Sequence, residues 1–104
     1  MKQLIILFTL ITGIAQASIT FDPADLDHRV DAECVAAFDL LAQIDTVKKD
    51  SYTYLAEEII SKYQSSKQFD LAVETKLVKL EHKANIIGKD AWADMAGSII
   101  GMSC

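Results

Sequence analysis

The sequence has few of the residues that interrupt helices. It contains one proline, Pro23, and four glycines in 104 residues. No stretch is rich enough in Gly, Ser and Pro to act as a linker, and no segment is repeated. Ala, Leu, Lys and Glu, which favour helices, are abundant instead. We therefore expect a single, all-α domain.

The motifs of enzymes and of metal sites are also missing. The chain has no Cys-x-x-Cys, no His-Glu-x-x-His, no calcium-binding loop and no nucleophile elbow. Its net charge of −5 argues against binding to nucleic acid and to anionic membranes, both of which attract clustered Lys and Arg. We expect a non-enzymatic protein without a metal or cofactor, and the acidity is compatible with a basic protein partner.

An export signal is predicted at the N-terminus. Lys2 is followed by a mainly apolar run over residues 4–14, which is shorter than the ~20 residues that span a bilayer. Ala15 and Ala17 are the small residues that a signal peptidase needs, so we expect cleavage between Ala17 and Ser18. An uncleaved membrane anchor is the alternative. The predicted domains are thus a signal peptide at 1–17 and a periplasmic or secreted helical domain at 18–104.

The two cysteines of the chain, Cys34 and Cys104, are predicted to form one disulfide. An even number of cysteines in an exported protein favours pairing, because the compartment is oxidising. Two free thiols are the alternative. A bridge would join the last residue of the chain to the first predicted helix.

Four helices are predicted from the spacing of apolar residues. The first begins after the cap Asp22, ends near Ile44 and has the apolar stripe Leu26, Val30, Cys34, Phe38 and Leu41. The second begins near Asp50 or Ser51, with the stripe Tyr52, Leu55, Ala56, Ile59, Ile60 and Tyr63. The third follows the cap Asp70, with the core seam Val73, Leu77, Leu80, Ala84 and Ile87, and ends at Gly88. The fourth follows the cap Asp90, with Trp92, Met95, Ala96, Ile99 and Met102, and ends at Cys104.

Short connections between these helices predict an antiparallel bundle of about four helices. Residues 18–21 alternate in polarity and could form a short extended arm, for which the sequence offers no partner strand. Gly97 and Gly101 have the spacing that permits close approach of another helix, although a face of small residues packs in the same way.

Three side chains are candidates for a site. His28 lies in the acidic segment 25–33 and could bind a metal, but an exposed histidine in a solvated helix turn is the simpler interpretation. His82 is expected on the surface of the third helix. Tyr54 lies off the apolar stripe of the second helix, so it is either an interface residue or an ordinary surface tyrosine.

In size, export and cysteine number the chain resembles two groups of exported bacterial proteins. One is the small acid-stress periplasmic chaperones, and the other is the helical immunity proteins that neutralise cell-wall-degrading toxins. No motif matches either group, so no residue role is carried over. The first functional hypothesis is an exported protein that binds another protein, of immunity or inhibitor type. A stress chaperone is the second hypothesis, and a carrier with a ligand cavity between its helices is the third.

Overall fold

The structure, a computed structural model, describes residues 19–63 and 66–104. The predicted signal peptide and its cleavage site at Ala17 and Ser18 lie outside these residues. The described chain forms four α-helices: α1 (Leu26–Ile44), α2 (Lys49–Ile60), α3 (Lys67–Ile87) and α4 (Lys89–Ser103). A short 3-10 helix, Thr46–Lys48, links α1 to α2. The all-α bundle expected from the sequence is confirmed, and no described helix is long and apolar enough to cross a membrane.

Helix α1 lies at the centre of the bundle. It packs against each of the other three helices, and α3 also packs against α4. Of the predicted stripe, Cys34, Phe38 and Leu41 are buried and Val30 is half-buried, but Leu26 is 64% exposed. Nine residues of α1 are buried: Ala32, Cys34, Val35, Ala36, Ala37, Phe38, Leu40, Leu41 and Ala42. A helix surrounded by neighbours buries most of its circumference, and the many alanines allow those neighbours to approach closely.

The disulfide between Cys34 and Cys104 is present, as predicted. Cys34 is buried in the middle of α1, whereas Cys104 is exposed just after α4. The bridge therefore attaches the C-terminal end of the chain to the central helix. In a core cluster that does not include Cys34, Trp92 and Ala96 of α4 are buried with Ala37, Leu40 and Leu41 of α1.

The predicted caps of all four helices are wrong. The cap of α1 is Asp25, whose carboxylate accepts hydrogen bonds from the backbone N–H groups of Asp27 and His28. Asp22 instead accepts a hydrogen bond from the backbone N–H of Ala24, in the turn before the helix. The cap of α2 is Lys48, so Asp50 and Ser51 lie inside that helix. In the same way Ser66 replaces Asp70 as the cap of α3, and Gly88 replaces Asp90 as the cap of α4.

The new start of α3 places Phe69 inside the helix, where its side chain is 1% exposed. Among the predicted seam of α3, Ala84 is buried, but Leu77 and Leu80 are only half-buried and Ile87 is exposed. In α4, Met95 is exposed, and the side chains of Ile99 and Met102 lie outside those described. A methyl group added at Gly97 would meet nothing within 4 Å, so this glycine marks no close helix contact.

The extended arm before α1 has a partner that the sequence did not reveal. The backbone N–H of Ile19 donates a hydrogen bond to the carbonyl of Lys62, over 3.1 Å. Phe21 is buried at the end of the arm. The centroid of its ring lies 5.7 Å from that of Phe69 and 6.1 Å from that of Tyr63, and both pairs of rings meet edge to face. The arm thus closes one end of the hydrophobic core.

Candidate interaction surface

Helix α3 carries a second apolar stripe on the side opposite the core. Its members are Leu71, Val78 and Ile86, whose side chains are 63%, 65% and 69% exposed. Thr75 and His82 lie between them, and the five positions follow one another at spacings of three or four residues, so they share one face of the helix. We call these five residues the outer face of α3. Three large apolar side chains aligned in solvent are a feature that a partner can cover.

The charged residues of α3 divide between the two sides of the outer face. A helix turns by about 100° per residue, which places the acidic side chains on one side and the basic ones on the other. The acidic side carries Asp70, Glu74 and Glu81, and the basic side carries Lys76, Lys79 and Lys83. Lys67, in the first turn of α3, is the exception and falls on the acidic side. The hydroxyl of Thr75 already donates a hydrogen bond to the carbonyl of Leu71, over 2.9 Å, so it needs no acceptor from a partner. The outer face is therefore an apolar strip with one acidic and one basic border.

An apolar groove continues this surface towards the start of α1. Its volume is about 430 Å³, and it is lined by Phe21, Pro23, Arg29, Gln68, Leu71, Ala72, Thr75 and Lys76. Leu71 and Thr75 belong both to the groove and to the outer face of α3. The two features thus form one continuous surface.

Tyr54 lies on a different surface, formed by α2 and the short 3-10 helix. Its side chain is 61% exposed, and Val47 nearby in sequence is 93% exposed. Asp50, Glu57 and Glu58 are also exposed on α2, and Lys48 and Lys49 are exposed where the two helices meet, so this surface carries charges of both signs. The structure gives Tyr54 the accessibility that an interface residue needs, and its role in an interface stays a prediction.

His28 is not the exposed side chain that the simpler interpretation expected. It is half-buried, and its ring stacks on Phe21 at a centroid distance of 6.1 Å. Its Nδ1 accepts a hydrogen bond from the backbone N–H of Asp22 over 2.9 Å, and its Nε2 lies 3.7 Å from a carboxylate oxygen of Asp25. These contacts hold the arm against the start of α1. In the described part of the chain, no three His, Cys, Asp or Glu side chains are grouped so as to hold a metal ion.

A buried hydrogen bond connects the end of α2 to α1. Tyr63 is 2% exposed, and its hydroxyl donates to a carboxylate oxygen of Asp31, which also lies 3.9 Å from the Nζ of Lys62. Burial raises the pKa of Tyr63, and the bond to Asp31 and the surrounding negative charges raise it further. The phenol therefore stays protonated at neutral pH and serves as a donor that fixes the structure, which the sequence did not indicate.

Asp39 is the other acid with a shifted pKa. Its half-buried carboxyl lies on α1 and lines a groove that also contains Lys49 and Leu77. Burial raises its pKa above the usual value for aspartate, because the charged form loses solvation. No Lys or Arg nitrogen in the described residues lies within 4 Å of it, so Asp39 forms no salt bridge with these residues.

Comparisons of the chain with protein-family models, with curated proteins and with solved structures found no match.

Proposed function

We propose that this protein is exported and that it acts without catalysis, by binding another protein through the surface of its helices. The observation that carries the proposal is the outer face of α3, where Leu71, Val78 and Ile86 align opposite the core. A helix that needs only to cover its own core is apolar on one face. A second apolar face costs solubility, so we infer that a partner uses it.

Two further observations support a role that is not enzymatic. Both cysteines are joined in the disulfide, so neither offers a thiol as nucleophile. The raised pKa of Tyr63 makes its buried phenol a poor acid or base at neutral pH. An immunity or inhibitor protein is one form that such a binding function takes.

Export, cleavage between Ala17 and Ser18 and the antiparallel order of neighbouring helices belong to the same proposal. Mass spectrometry of protein recovered from outside the cytoplasm tests the first two. We expect a mature chain that begins at Ser18. Exported protein that retains Met1 or Lys2 would contradict the cleavage.

A photo-crosslinking amino acid tests the binding function. It is placed at Val78, in the middle of the outer face of α3, at Tyr54, and at the exposed Asp94 of α4 as a control. We expect one defined adduct from position 78, identified by mass spectrometry and lost when Leu71 is changed to Glu. The binding function is refuted if positions 78 and 54 give no more adduct than position 94.

A stress chaperone is the second candidate, because the same apolar face could hold an unfolded client. The chain has 15 Asp and Glu residues against 10 Lys and Arg, so its negative charge disappears at low pH. Suppression of client aggregation near pH 3 by the wild-type protein, weakened in the Val78→Glu variant, would favour the chaperone over a dedicated binding protein.

A ligand carrier is less well supported. The grooves of about 430 Å³ are wide open to solvent. The more enclosed cavities between helices are smaller, about 290 Å³ beside Leu40 and Ala84 and about 100 Å³ beside Leu80 and Trp92. Pockets that enclose small molecules have ~300–1,000 Å³.

A further inference from the structure

We propose that the outer face of α3 binds the same face of a second copy of this chain, with the two α3 helices parallel. The inference rests on the proposed function, because it names the partner of the surface described there.

The spacing of residues on the outer face of α3 matches that of a coiled-coil seam. Leu71, Thr75, Val78 and His82 follow one another at intervals of four, three and four residues. This is the spacing at which two helices pack side by side in a coiled coil. In a parallel pair each of these residues meets its own equivalent, so Leu71 and Val78 are covered by Leu71 and Val78 of the second copy. One face then covers itself without needing a different complementary surface.

The charges on the two borders of the outer face can pair between two copies. Residues that flank the seam of a coiled coil form ion pairs between helices, and these pairs set the partner and its orientation. In the parallel pair, Glu74 of one copy faces Lys79 of the other, since the two positions are five residues apart on opposite borders. Both side chains are exposed and can reach across. The pair occurs twice, by symmetry.

The antiparallel alternative brings like charges together. There each border meets the same border of the second copy, so Glu74 faces Glu81 in one register, and Lys79 faces its own equivalent in the next. Like charges held at an interface disfavour that arrangement. The division of charge along α3 therefore selects the parallel pair.

The contact between two α3 helices is small. Helix α3 has 21 residues, which corresponds to a length of ~31 Å. One helix face of this length buries less than the ~800 Å² per partner of a standard stable interface. The groove next to Leu71 adds to the area, but the dimer is expected to be reversible and to require concentrated protein.

Sedimentation equilibrium of the exported, oxidised protein over a wide concentration range is the test. We expect a monomer–dimer equilibrium in the wild type. Val78→Glu should weaken dimerisation about tenfold or more, because two carboxylates would meet in the seam. Val47→Glu is the matched control, since it makes the same change at a fully accessible valine outside the outer face, and it should leave the equilibrium unchanged.

Charge reversal tests the orientation. Lys79→Glu and Glu74→Lys should each weaken the dimer about fivefold, since each replaces two attractive pairs by two repulsive ones. The double variant restores both pairs and should return the affinity to that of the wild type. Lys83→Glu, an equal charge change one turn further along and farther from the seam, should have little effect. Circular dichroism of every variant checks that the fold is retained.

The outcomes separate this inference from the proposed function. A dimer that Val78→Glu does not weaken, or a double variant no tighter than the single ones, overturns the parallel self-pairing. A protein that stays monomeric while position 78 crosslinks to a different protein also overturns it, and leaves the binding function intact. A protein that stays monomeric and gives no adduct from any position would refute both the self-pairing and the binding function.

Discussion

Loss of the disulfide should lower the thermal stability of the protein strongly without unfolding it at low temperature. The bridge joins residues that are 70 apart in sequence. In the chain-entropy description, closing a loop of that length stabilises the folded state by roughly 4 kcal/mol, because it restricts the unfolded chain. For a domain of this length, ~1 kcal/mol corresponds to about 4–8 °C in the melting temperature. The expected decrease is therefore more than about 15 °C.

The structure also shows how to remove the bridge cleanly. Cys104 is exposed, whereas Cys34 is 3% exposed within the core, so Cys104→Ser breaks the bond without leaving a cavity. Helix α4 should stay docked at low temperature, because Trp92 and Ala96 remain buried against α1. Thermal melts followed by circular dichroism compare the oxidised protein, the reduced protein and this variant.

We expect the reduced protein and the Cys104→Ser variant to melt at the same, lower temperature. Two results would refute the reasoning. An unchanged melting temperature would mean that the bridge does not restrict the unfolded chain as described. Loss of helix in the cold would mean that packing on α1 is too weak to hold α4 without the bridge.

Three further predictions concern the core and its acids. Leu41→Ala should destabilise the protein by about 2–5 kcal/mol, and Leu77→Ala by less, because Leu41 is buried and Leu77 only half-buried; urea unfolding measures both. Tyr63→Phe should cost about 1–3 kcal/mol in the same assay, since the carboxylate of Asp31 loses its buried donor. Asp39→Asn should stabilise the protein at neutral pH, because burial raises the pKa of Asp39 in the folded state.

The sign of the Asp39 effect follows from proton binding. Between the pKa of the unfolded chain and the higher pKa of the folded one, the folded protein binds more protons, so the contribution of Asp39 to stability falls as pH rises. The advantage of the asparagine variant should therefore shrink below about pH 4. If the asparagine variant were equally more stable than the wild type at pH 3 and at pH 7, the raised pKa of Asp39 would be contradicted.

If Leu41→Ala and Leu77→Ala lowered the free energy of unfolding equally, the difference in burial between the two leucines would be contradicted.

The helices themselves were predictable from the sequence. The end of α1 at Ile44 and the glycine that ends α3 were correct, because periodic apolar residues and a glycine at the C-terminus of a helix act locally. Gly88 has a positive φ of 100°, which favours glycine.

The N-terminal boundaries were less predictable, for a physical reason. Ser66 and Asp70 are both good capping residues, and local preference does not decide between them. Tertiary packing does, since only a helix that begins before Phe69 places that ring in the core, where it stacks on Tyr63 at 4.4 Å between centroids. The same cluster gives the arm its partner, through contacts between residues far apart in sequence.

The outer face of α3 could have been found in the sequence, because Leu71, Val78 and Ile86 recur at helical spacing. A longer apolar seam lies on the opposite side of the same helix. The two stripes have different consequences for the fold. Residues such as Phe69 and Ala84 are buried and hold α3 in the bundle, whereas the exposed stripe contributes little packing within the described chain. A change at Val78 should therefore affect association without affecting stability, and this separation makes the proposed surface testable apart from the fold.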